Sequence, residues 1–380
     1  MPGPGDVLAL IREHGKLTRG DVLDLTGLSR MTVSSRIDAL LDVGLIVERG
    51  TERVTGGRPS RRLEFNSTHA TVVTASVETT HTTVALTDLA GRVQAEERVA
   101  VAVADGPAVA LNAIAERARA LLDERDRPRV AAIGISVPGP VDPDTGRPSQ
   151  PPIMPGWDAY PIPEHLGDAL GVPVLVANDA DAAALGEQRA AFPDSRSLCF
   201  IKVSSGIGTG IVLGGNVYRG TDGGAGDIGH VKIAGYEDLV CHCGANGCLA
   251  AVASGGAVAR ALTALGKPAA SGSDVGKYLA AGDTDAARLT QEAGRVIGGV
   301  VATVVSLLNP AEVILGGMLA SAPLLTGVRE TLYPRSLPRA TRHLSVGLAT
   351  LGQHGATVGL AALVVDREYS AAAVDRSLSG

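Results

Sequence analysis

Residues 241–250 read CHCGANGCLA and place three of the chain's four cysteines within eight positions. This spacing is too tight for a set of mutual disulfides, and the Cys-x-x-Cys pair that is typical of redox centres is absent. Three thiolates need a fourth ligand to complete a tetrahedron, and His230 lies eleven residues before the first cysteine. A closed Cys₃His set leaves no coordination position for a catalytic water, so the sequence predicts a structural Zn²⁺ rather than a catalytic one. The predicted ligands are His230, Cys241, Cys243 and Cys248. Unmetallated thiols are the alternative.

The cellular compartment follows from what the sequence lacks. The opening residues contain no basic segment followed by an apolar core, as a signal peptide would, and no stretch approaches eighteen uninterrupted apolar residues. We therefore expect a cytoplasmic protein without a membrane span, in which cysteines are thiols or metal ligands. Cys199, within the apolar run LCFIKV, is expected to be a core thiol.

The first 65 residues have the pattern of a DNA-binding head. A helical repeat over residues 6–14 is followed by Thr18, which begins a second helix with Asp21 at the capping-box position. Ser29 begins a third helix over residues 30–44. Two short helices joined by a tight turn predict a helix-turn-helix. Its outward polar side chains suit phosphates and base edges, and the predicted DNA contacts on this helix are Arg30, Thr32, Ser34, Ser35 and Arg36.

The segment over residues 45–65 predicts a β-hairpin wing, because two alternating apolar runs flank a polar, glycine-bearing loop. Four of its arginines cluster without matching acids close by: Arg53, Arg58, Arg61 and Arg62. We expect Arg58, in a Gly-Gly-Arg-Pro element, to enter a narrow minor groove. Bulk charge adds little, since the head has ten basic and nine acidic residues and the remainder has 24 and 31. The alternative is a three-helix module that binds another protein.

After residue 70, predicted strands and helices alternate in two similar halves, which predicts an α/β architecture of two lobes around a cleft. Ligands of such folds bind where polar turns leave the carboxyl ends of strands. Asn178 and Asp179 lie in such a turn, after the buried strand VPVLVA. Asp179 fits a general base that takes a proton from a hydroxyl group, although Asn and Asp are also common helix caps.

The order of motifs resembles one known family. The predicted winged head is followed by GISVPGPVD, ANDADAAALGE, GAGDIGH and CHCGANGC, and this series resembles the ROK family of repressors, open reading frames and sugar kinases. The resemblance implies an actin-like, hexokinase-like ATPase fold with a zinc loop beside a sugar cleft. For the family's DNA-binding branch it also implies carbohydrate-gene repressors that form homodimers or homotetramers on pseudo-palindromic double-stranded DNA. The expected parts are the head over residues 1–65, lobe 1 over 66–190 with a C-terminal helix at about 354–380, and lobe 2 over 191–353.

The phosphate side of the family pattern is altered. Family kinases carry an Asp-x-Gly-Gly-Thr-Lys loop, and the corresponding residues 76–81 read SVETTH. The glycines that let backbone N–H groups approach a phosphate are missing, and Glu78 adds a repulsive charge. Of the second glycine loop, Gly206, Gly208 and Gly210 remain, whereas Ser204 replaces a usual glycine. We therefore predict that ATP binding and kinase activity are lost, leaving Asp179 as a vestigial base.

The sugar side of the pattern is mixed. The resemblance assigns ligand contacts to four residues: Asn178, Asp179, Asp227 and His230. Asp227 is one methylene shorter than the family's Glu, Ala250 stands where a second Glu is usual, and Ile153 replaces an Asn. Each lost hydrogen-bond partner costs about 1–3 kcal/mol for the hydroxyl that it served. We expect a different sugar, a sugar derivative, or no sugar at all.

These patterns predict a DNA-binding transcriptional regulator, most simply a repressor, with a sugar-sensing domain. An ATP-dependent sugar kinase with a regulatory head is the second hypothesis, with Asp179 as its base. A repressor that works without a small ligand is the third.

Overall fold

The computed structural model describes residues 2–52, 60–126 and 128–379. Its head is a helix-turn-helix followed by a wing, as the sequence predicts, and β1-β3-β2 form one sheet. The elements of the head are α1 (Pro4–His14), β1 (Lys16–Thr18), α2 (Arg19–Thr26), α3 (Arg30–Asp42), β2 (Ile46–Glu52) and β3 (Ser60–Phe65). Arg53 and Arg58, which the sequence predicts to belong to the wing, lie outside the described residues.

Local sequence sets the limits of the helices in the head. Thr18 accepts a hydrogen bond from the backbone N–H of Asp21, whose carboxylate accepts one from the N–H of Thr18 in return. Gly27 ends α2 with φ +65°, a left-handed conformation that favours glycine. Ser29 caps α3 through the N–H of Thr32. The predicted capping residues are therefore confirmed.

Lobe 1 contains a five-stranded sheet of order β6-β5-β4-β7-β8, with an antiparallel meander on one side and parallel strands on the other. Its elements are β4 (Thr71–Val77), β5 (Thr82–Asp88), β6 (Val93–Val99), α4 (Pro107–Asp123), β7 (Val130–Val137), α5 (Ile162–Leu170), β8 (Val174–Asn178), α6 (Asp179–Ala191), α13 (His354–Glu368) and α14 (Ala371–Ser379). The predicted single C-terminal helix is divided into α13 and α14.

Lobe 2 repeats this topology with the sheet order β11-β10-β9-β12-β13. Its elements are β9 (Ser197–Val203), β10 (Ile207–Leu213), β11 (Asn216–Val217), α7 (Leu249–Ala253), α8 (Gly255–Ala264), α9 (Gly272–Ala280), α10 (Thr284–Leu308), β12 (Glu312–Gly316), α11 (Ala322–Arg335), α12 (Pro338–Thr341) and β13 (Ser345–Leu348). Two similar α/β lobes confirm the predicted fold class. The domain boundaries remain predictions, although residue 65 ends β3 and residue 190 lies near the end of α6.

Helix α10 has the length and composition of a membrane-spanning helix, with a mean hydropathy of 1.2 over its most apolar window. Its apolar face belongs to the core of lobe 2, where Ile297, Val301 and Val305 are fully buried. Contact with other core elements explains its apolar composition.

Helices α6 and α13 cross between the two lobes at very short range. A Cβ added at Gly359 would lie 1.7 Å from the backbone oxygen of Ala182, and one added at Gly186 would lie 1.9 Å from that of Gly355. Only residues without a Cβ allow this approach, so the glycines fix how the lobes are joined.

The head shares a hydrophobic core with lobe 1. Leu8, Ile37 and Leu63 of the head belong to the same buried cluster as Val72 and Val365 of lobe 1. The ring of Phe65 meets that of Tyr369 edge-on at 6.0 Å between centroids, and the Gly5 N–H donates to Asp375 of α14. The head is therefore packed directly onto lobe 1 rather than tethered by a linker.

We predict that Gly359→Ala lowers the free energy of unfolding by about 1–3 kcal/mol or more, because its Cβ meets backbone that cannot move aside. Urea denaturation monitored by circular dichroism measures this change. Gly347→Ala, where an added Cβ meets nothing within 4 Å, is the matched control. Equal stability of the two variants would contradict the crossing described here.

Candidate functional site

A cleft of about 340 Å³ lies between the lobes. The four residues predicted to contact a ligand all line it: Asn178, Asp179, Asp227 and His230. Ile153 and Ala250, the two apolar replacements, line it as well. The structure therefore brings together every residue that the sequence assigns to the sugar site, while their role in binding a sugar stays a prediction.

Asn178 is the helix cap that local sequence indicates. Its side-chain oxygen accepts hydrogen bonds from the N–H groups of Ala180 and Asp181, and its amide nitrogen donates to the Gly139 carbonyl. These bonds fix the end of β8 and the start of α6, and they leave one amide hydrogen for a ligand. Asp179, the first residue of α6, then projects its carboxylate into the cleft.

The Asp179 carboxylate is occupied by a lysine of the other lobe. Lys202 Nζ, on β9, lies 2.7 Å from Asp179 Oδ2 and 2.7 Å from Glu78 Oε1. The side chain of Lys202 is 11% exposed, that of Asp179 is 10% exposed and that of Glu78 is 24% exposed, so the group is largely shielded from water. We call Glu78, Lys202 and Asp179 the interlobe clasp.

The charges of the interlobe clasp depend on one another. Burial raises the pKa of Asp179, and the Lys202 ammonium opposes that rise. Burial alone would lower the pKa of Lys202, but the carboxylates of Asp179 and Glu78 raise it above its ordinary value. Lys202 therefore stays charged, and its ammonium is paired with the carboxylate that the sequence predicts as a vestigial base.

A second contact joins the lobes beside the interlobe clasp. Thr79 Oγ1 lies 2.9 Å from Ser205 Oγ, which connects the SVETTH turn to the second glycine loop. The turn itself is closed by a hydrogen bond from the Glu78 N–H to the His81 carbonyl. The segment that corresponds to a kinase phosphate loop thus contacts protein groups instead.

Two further glycines, Gly316 and Gly317 at the end of β12, have packing roles. A Cβ at Gly316 would lie 2.1 Å from Cζ of Phe200, and Gly317 has φ +89°. Ser204, which replaces a glycine, accepts a hydrogen bond from the Met318 N–H through its hydroxyl. Close contact between β9 and β12 is a sufficient reason for these residues, without a nucleotide.

Sequence reasoning overlooked Lys202. Its signal was a lysine inside the apolar strand LCFIKV, since a buried ammonium needs carboxylate partners. The partners could not be named from sequence, because Glu78 is 124 residues away and belongs to the other lobe.

The predicted metal ligands lie together at the rim of the cleft. One ligand atom each from His230, Cys241, Cys243 and Cys248 lies within 4.8 Å of all the others. Cys243 Sγ and Cys248 Sγ are 3.7 Å apart, close to the edge of about 3.8 Å in a tetrahedron with Zn–S bonds of about 2.3 Å. The donor set and its spacing therefore fit a tetrahedral Zn²⁺.

The orientation of His230 allows it two contacts. Its Nδ1 faces Cys241 Sγ at 3.9 Å, so a metal would bind Nδ1 and leave Nε2 for another partner. Asp227 lies nearby, and partial burial raises its pKa while His230 lowers it.

Cys199 lies apart from this cluster, fully buried in the core, where burial raises the pKa of its thiol to about 12.

The predicted DNA contacts on α3 differ in orientation. Arg30 and Ser35 are exposed, whereas Thr32 bonds to the Ser29 hydroxyl and Ser34 bonds to Arg19 and Asp38. Arg36 is half-buried, and its Nη1 has no hydrogen-bond partner within the described part of the chain. In the wing, Arg61 pairs with Glu48.

The fold and its cleft define a class: a two-lobed domain of the sugar-kinase type carrying a winged helix-turn-helix head. Residues 74–367 match the ROK family, and residues 5–47 match a winged helix-turn-helix DNA-binding family. The chain belongs to the ROK family.

Similar proteins include both regulators and kinases. The chain is 26% identical to the xylose repressor of Caldicellulosiruptor bescii over 381 residues, covering 94% of each chain. The crystal structure of a ROK family transcriptional regulator, described as a homolog of the E. coli MLC protein, superposes with a TM-score of 0.83 at 28% identity, covering 99% of this chain and 98% of that one. A ROK hexokinase from Thermus thermophilus is 32% identical with a TM-score of 0.62, covering 77% and 97%.

We predict that Lys202→Met lowers the free energy of unfolding by about 3 kcal/mol, because it leaves the buried Asp179 carboxylate without a cation. Glu78→Gln keeps the Asp179 pair and should cost about 1 kcal/mol. A double-mutant cycle measured by urea denaturation gives the coupling between the lobes.

Lys277→Met is the matched control for this cycle. Lys277 pairs with Asp274 at 2.8 Å on the surface, where such pairs contribute little. The interlobe clasp has no structural importance if Lys202→Met and Lys277→Met are equally stable.

Proposed function

We propose that this protein is a sugar-responsive DNA-binding transcriptional repressor and not a kinase. One observation carries the proposal. A winged helix-turn-helix head shares its core with a sugar-kinase-like domain in which Asp179, the predicted vestigial base, is paired with Lys202. High-coverage similarity to a named repressor supports the same conclusion.

Phosphoryl transfer requires a carboxylate that accepts the proton of the attacking hydroxyl, together with groups that hold the nucleotide phosphates. Asp179 is paired with Lys202 at 2.7 Å, and Glu78 brings a negative charge to the loop where phosphates would lie. Both features oppose catalysis. Similarity to a hexokinase is explained by the common fold.

The cleft is the proposed effector site. Asp179, Asp227 and His230 offer acceptors and a donor to sugar hydroxyls, and Asn178 retains one amide hydrogen. Ala250 and Ile153 contribute only apolar surface. We infer a ligand that makes fewer polar contacts than a fully hydroxylated hexose would need.

Helix α6 offers a route from the cleft to the head. It begins at Asp179 and ends beyond Arg189, a length of about 20 Å. Arg189 Nη2 lies 3.0 Å from Asp366 Oδ2, and Asp366 Oδ1 lies 2.6 Å from Arg12 Nη2 of α1. We infer that a ligand which prefers one lobe arrangement shifts α6 and, through these charges, the head.

The head would bind double-stranded DNA through α3 and the wing. Arg30 and Ser35 are exposed and could contact the major groove directly. The half-buried Arg36 would have to change its side-chain conformation to do so, and Thr32 and Ser34 would have to break their hydrogen bonds within the head. Arg58 remains the predicted minor-groove residue. We also infer a homodimer or homotetramer on a pseudo-palindromic operator, and a cytoplasmic location, where such DNA is accessible.

We propose that His230, Cys241, Cys243 and Cys248 hold a structural Zn²⁺. The ion would supply a rigid tetrahedral crosslink within residues 230–248. The same segment forms part of the cleft wall, because Val240 and Cys241 line the cleft. Cys248 directly precedes α7, and Ala250 of α7 also lines the cleft.

The protein should select pseudo-palindromic DNA from a random pool, and a binding monosaccharide should lower that DNA affinity about tenfold. Isothermal titration with a panel including xylose, glucose and N-acetylglucosamine identifies the sugar.

Arg189→Met should retain sugar and DNA binding but reduce the effect of sugar on DNA affinity, because the Asp366 contact is lost.

Arg295→Met, which breaks the exposed pair with Glu330 in lobe 2, is the control and should leave the sugar effect unchanged. An absence of sequence-selective DNA binding would refute the repressor. ADP release on adding ATP and a sugar would instead support the kinase.

Elemental analysis should find about one Zn²⁺ per chain, because the cluster supplies one complete ligand set. Cys248→Ser should lose the metal and lower the melting temperature, whereas Cys199→Ser, outside the cluster, should retain the metal. Equal zinc content in the two variants would exclude this site.

A further inference from the structure

Met31 occupies an unusual position on α3. The buried face of this helix consists of Val33, Ile37 and Leu40, and helical spacing places Met31 and Ser35 on the opposite face. Met31 is 83% exposed, the largest exposed fraction of any large apolar side chain in the described ranges. Burial in this chain therefore gives no reason for a methionine here.

The charges on α3 indicate which end approaches DNA. Asp38 and Asp42 lie toward its C-terminal end, where they would repel phosphates, whereas Arg30 is at its first residue. Arg19 Nη2 lies 2.8 Å from Asp38 Oδ1 and neutralises part of that charge. The N-terminal half of α3, with Arg30, Met31 and Ser35, is thus the part suited to the major groove.

Of the bases, thymine alone carries an apolar group, its 5-methyl, into the major groove. The first turn of a recognition helix is the part that contacts base edges. A methionine is unbranched and flexible, so it can cover a methyl group without exact alignment. Arg30 beside it can bond a neighbouring phosphate or guanine.

We propose that Met31 is a specificity-determining residue that contacts the 5-methyl group of one thymine in each operator half-site. This inference rests on the proposed DNA-binding function. The contact would give the protein a preference for thymine at one position, which the predicted polar contacts of α3 do not account for.

The test uses the full chain and the DNA site that it selects from a random pool. Each thymine is replaced in turn by deoxyuridine, which differs only by lacking the 5-methyl group. One position per half-site should lose affinity about fourfold, as expected for about 0.8 kcal/mol per buried methyl-sized group. Fluorescence anisotropy measures the two dissociation constants.

Variants assign the effect to Met31. Met31→Ala should bind thymine and deoxyuridine sites equally, and Met31→Leu should keep most of the discrimination because it remains apolar. Leu307→Ala, which removes an apolar side chain that is 77% exposed in lobe 2, is the control and should discriminate like the unmodified protein. Circular dichroism checks that all variants are folded.

The results distinguish failure of the Met31 contact from failure of the proposed DNA-binding function. Sequence-selective binding without a deoxyuridine effect, or with one that persists in Met31→Ala, would overturn the role of Met31 and leave the repressor intact. Absence of selective DNA binding would overturn both. A loss of dimers in Met31→Ala with unchanged discrimination would show that Met31 contacts a second copy of the chain instead.

Discussion

The ion pair between Lys202 and Asp179 is the interaction on which the rest of this structure depends. It places a lysine of lobe 2 on the carboxylate that begins α6, and Glu78 completes the interlobe clasp from the loop where a nucleotide phosphate would lie. A buried charge without its partner is costly, so each of the three residues constrains the other two. The fold of a sugar kinase is thereby held together across its cleft by its own side chains.

This arrangement has consequences outside the cleft because the helix that begins at Asp179 is closely packed against its neighbours. Helix α6 crosses α13 at glycine contacts that leave no space for a Cβ, and the Arg189–Asp366–Arg12 charges lead from α6 to the head. The head itself shares a buried core with lobe 1. A change in how the lobes meet can therefore reach α3 without a flexible linker to absorb it.

Sequence predicted the parts of this protein that depend on local pattern. Thr18 and Ser29 marked helix starts because capping needs only nearby residues, and the cysteine spacing anticipated the cluster with His230. The interlobe clasp was missed because Glu78 and Lys202 meet only after two lobes assemble. Arg36 was placed outward from residue type alone, whereas its position on α3 makes it half-buried. Residues from distant segments, such as Ile153, Asp227 and Ala250, were assigned to one site only through the resemblance to a known family, because no local period encodes such contacts.

We infer that the interlobe clasp, rather than a bound nucleotide, joins the two lobes across the cleft. Small-angle X-ray scattering of the full chain, with and without ATP, tests this most directly when paired with Lys202→Met, which removes both ion pairs of the interlobe clasp. The radius of gyration should be unchanged by ATP in the unmodified protein and larger in Lys202→Met. Compaction of the unmodified protein by ATP, or identical scattering of the two proteins, would contradict the claim.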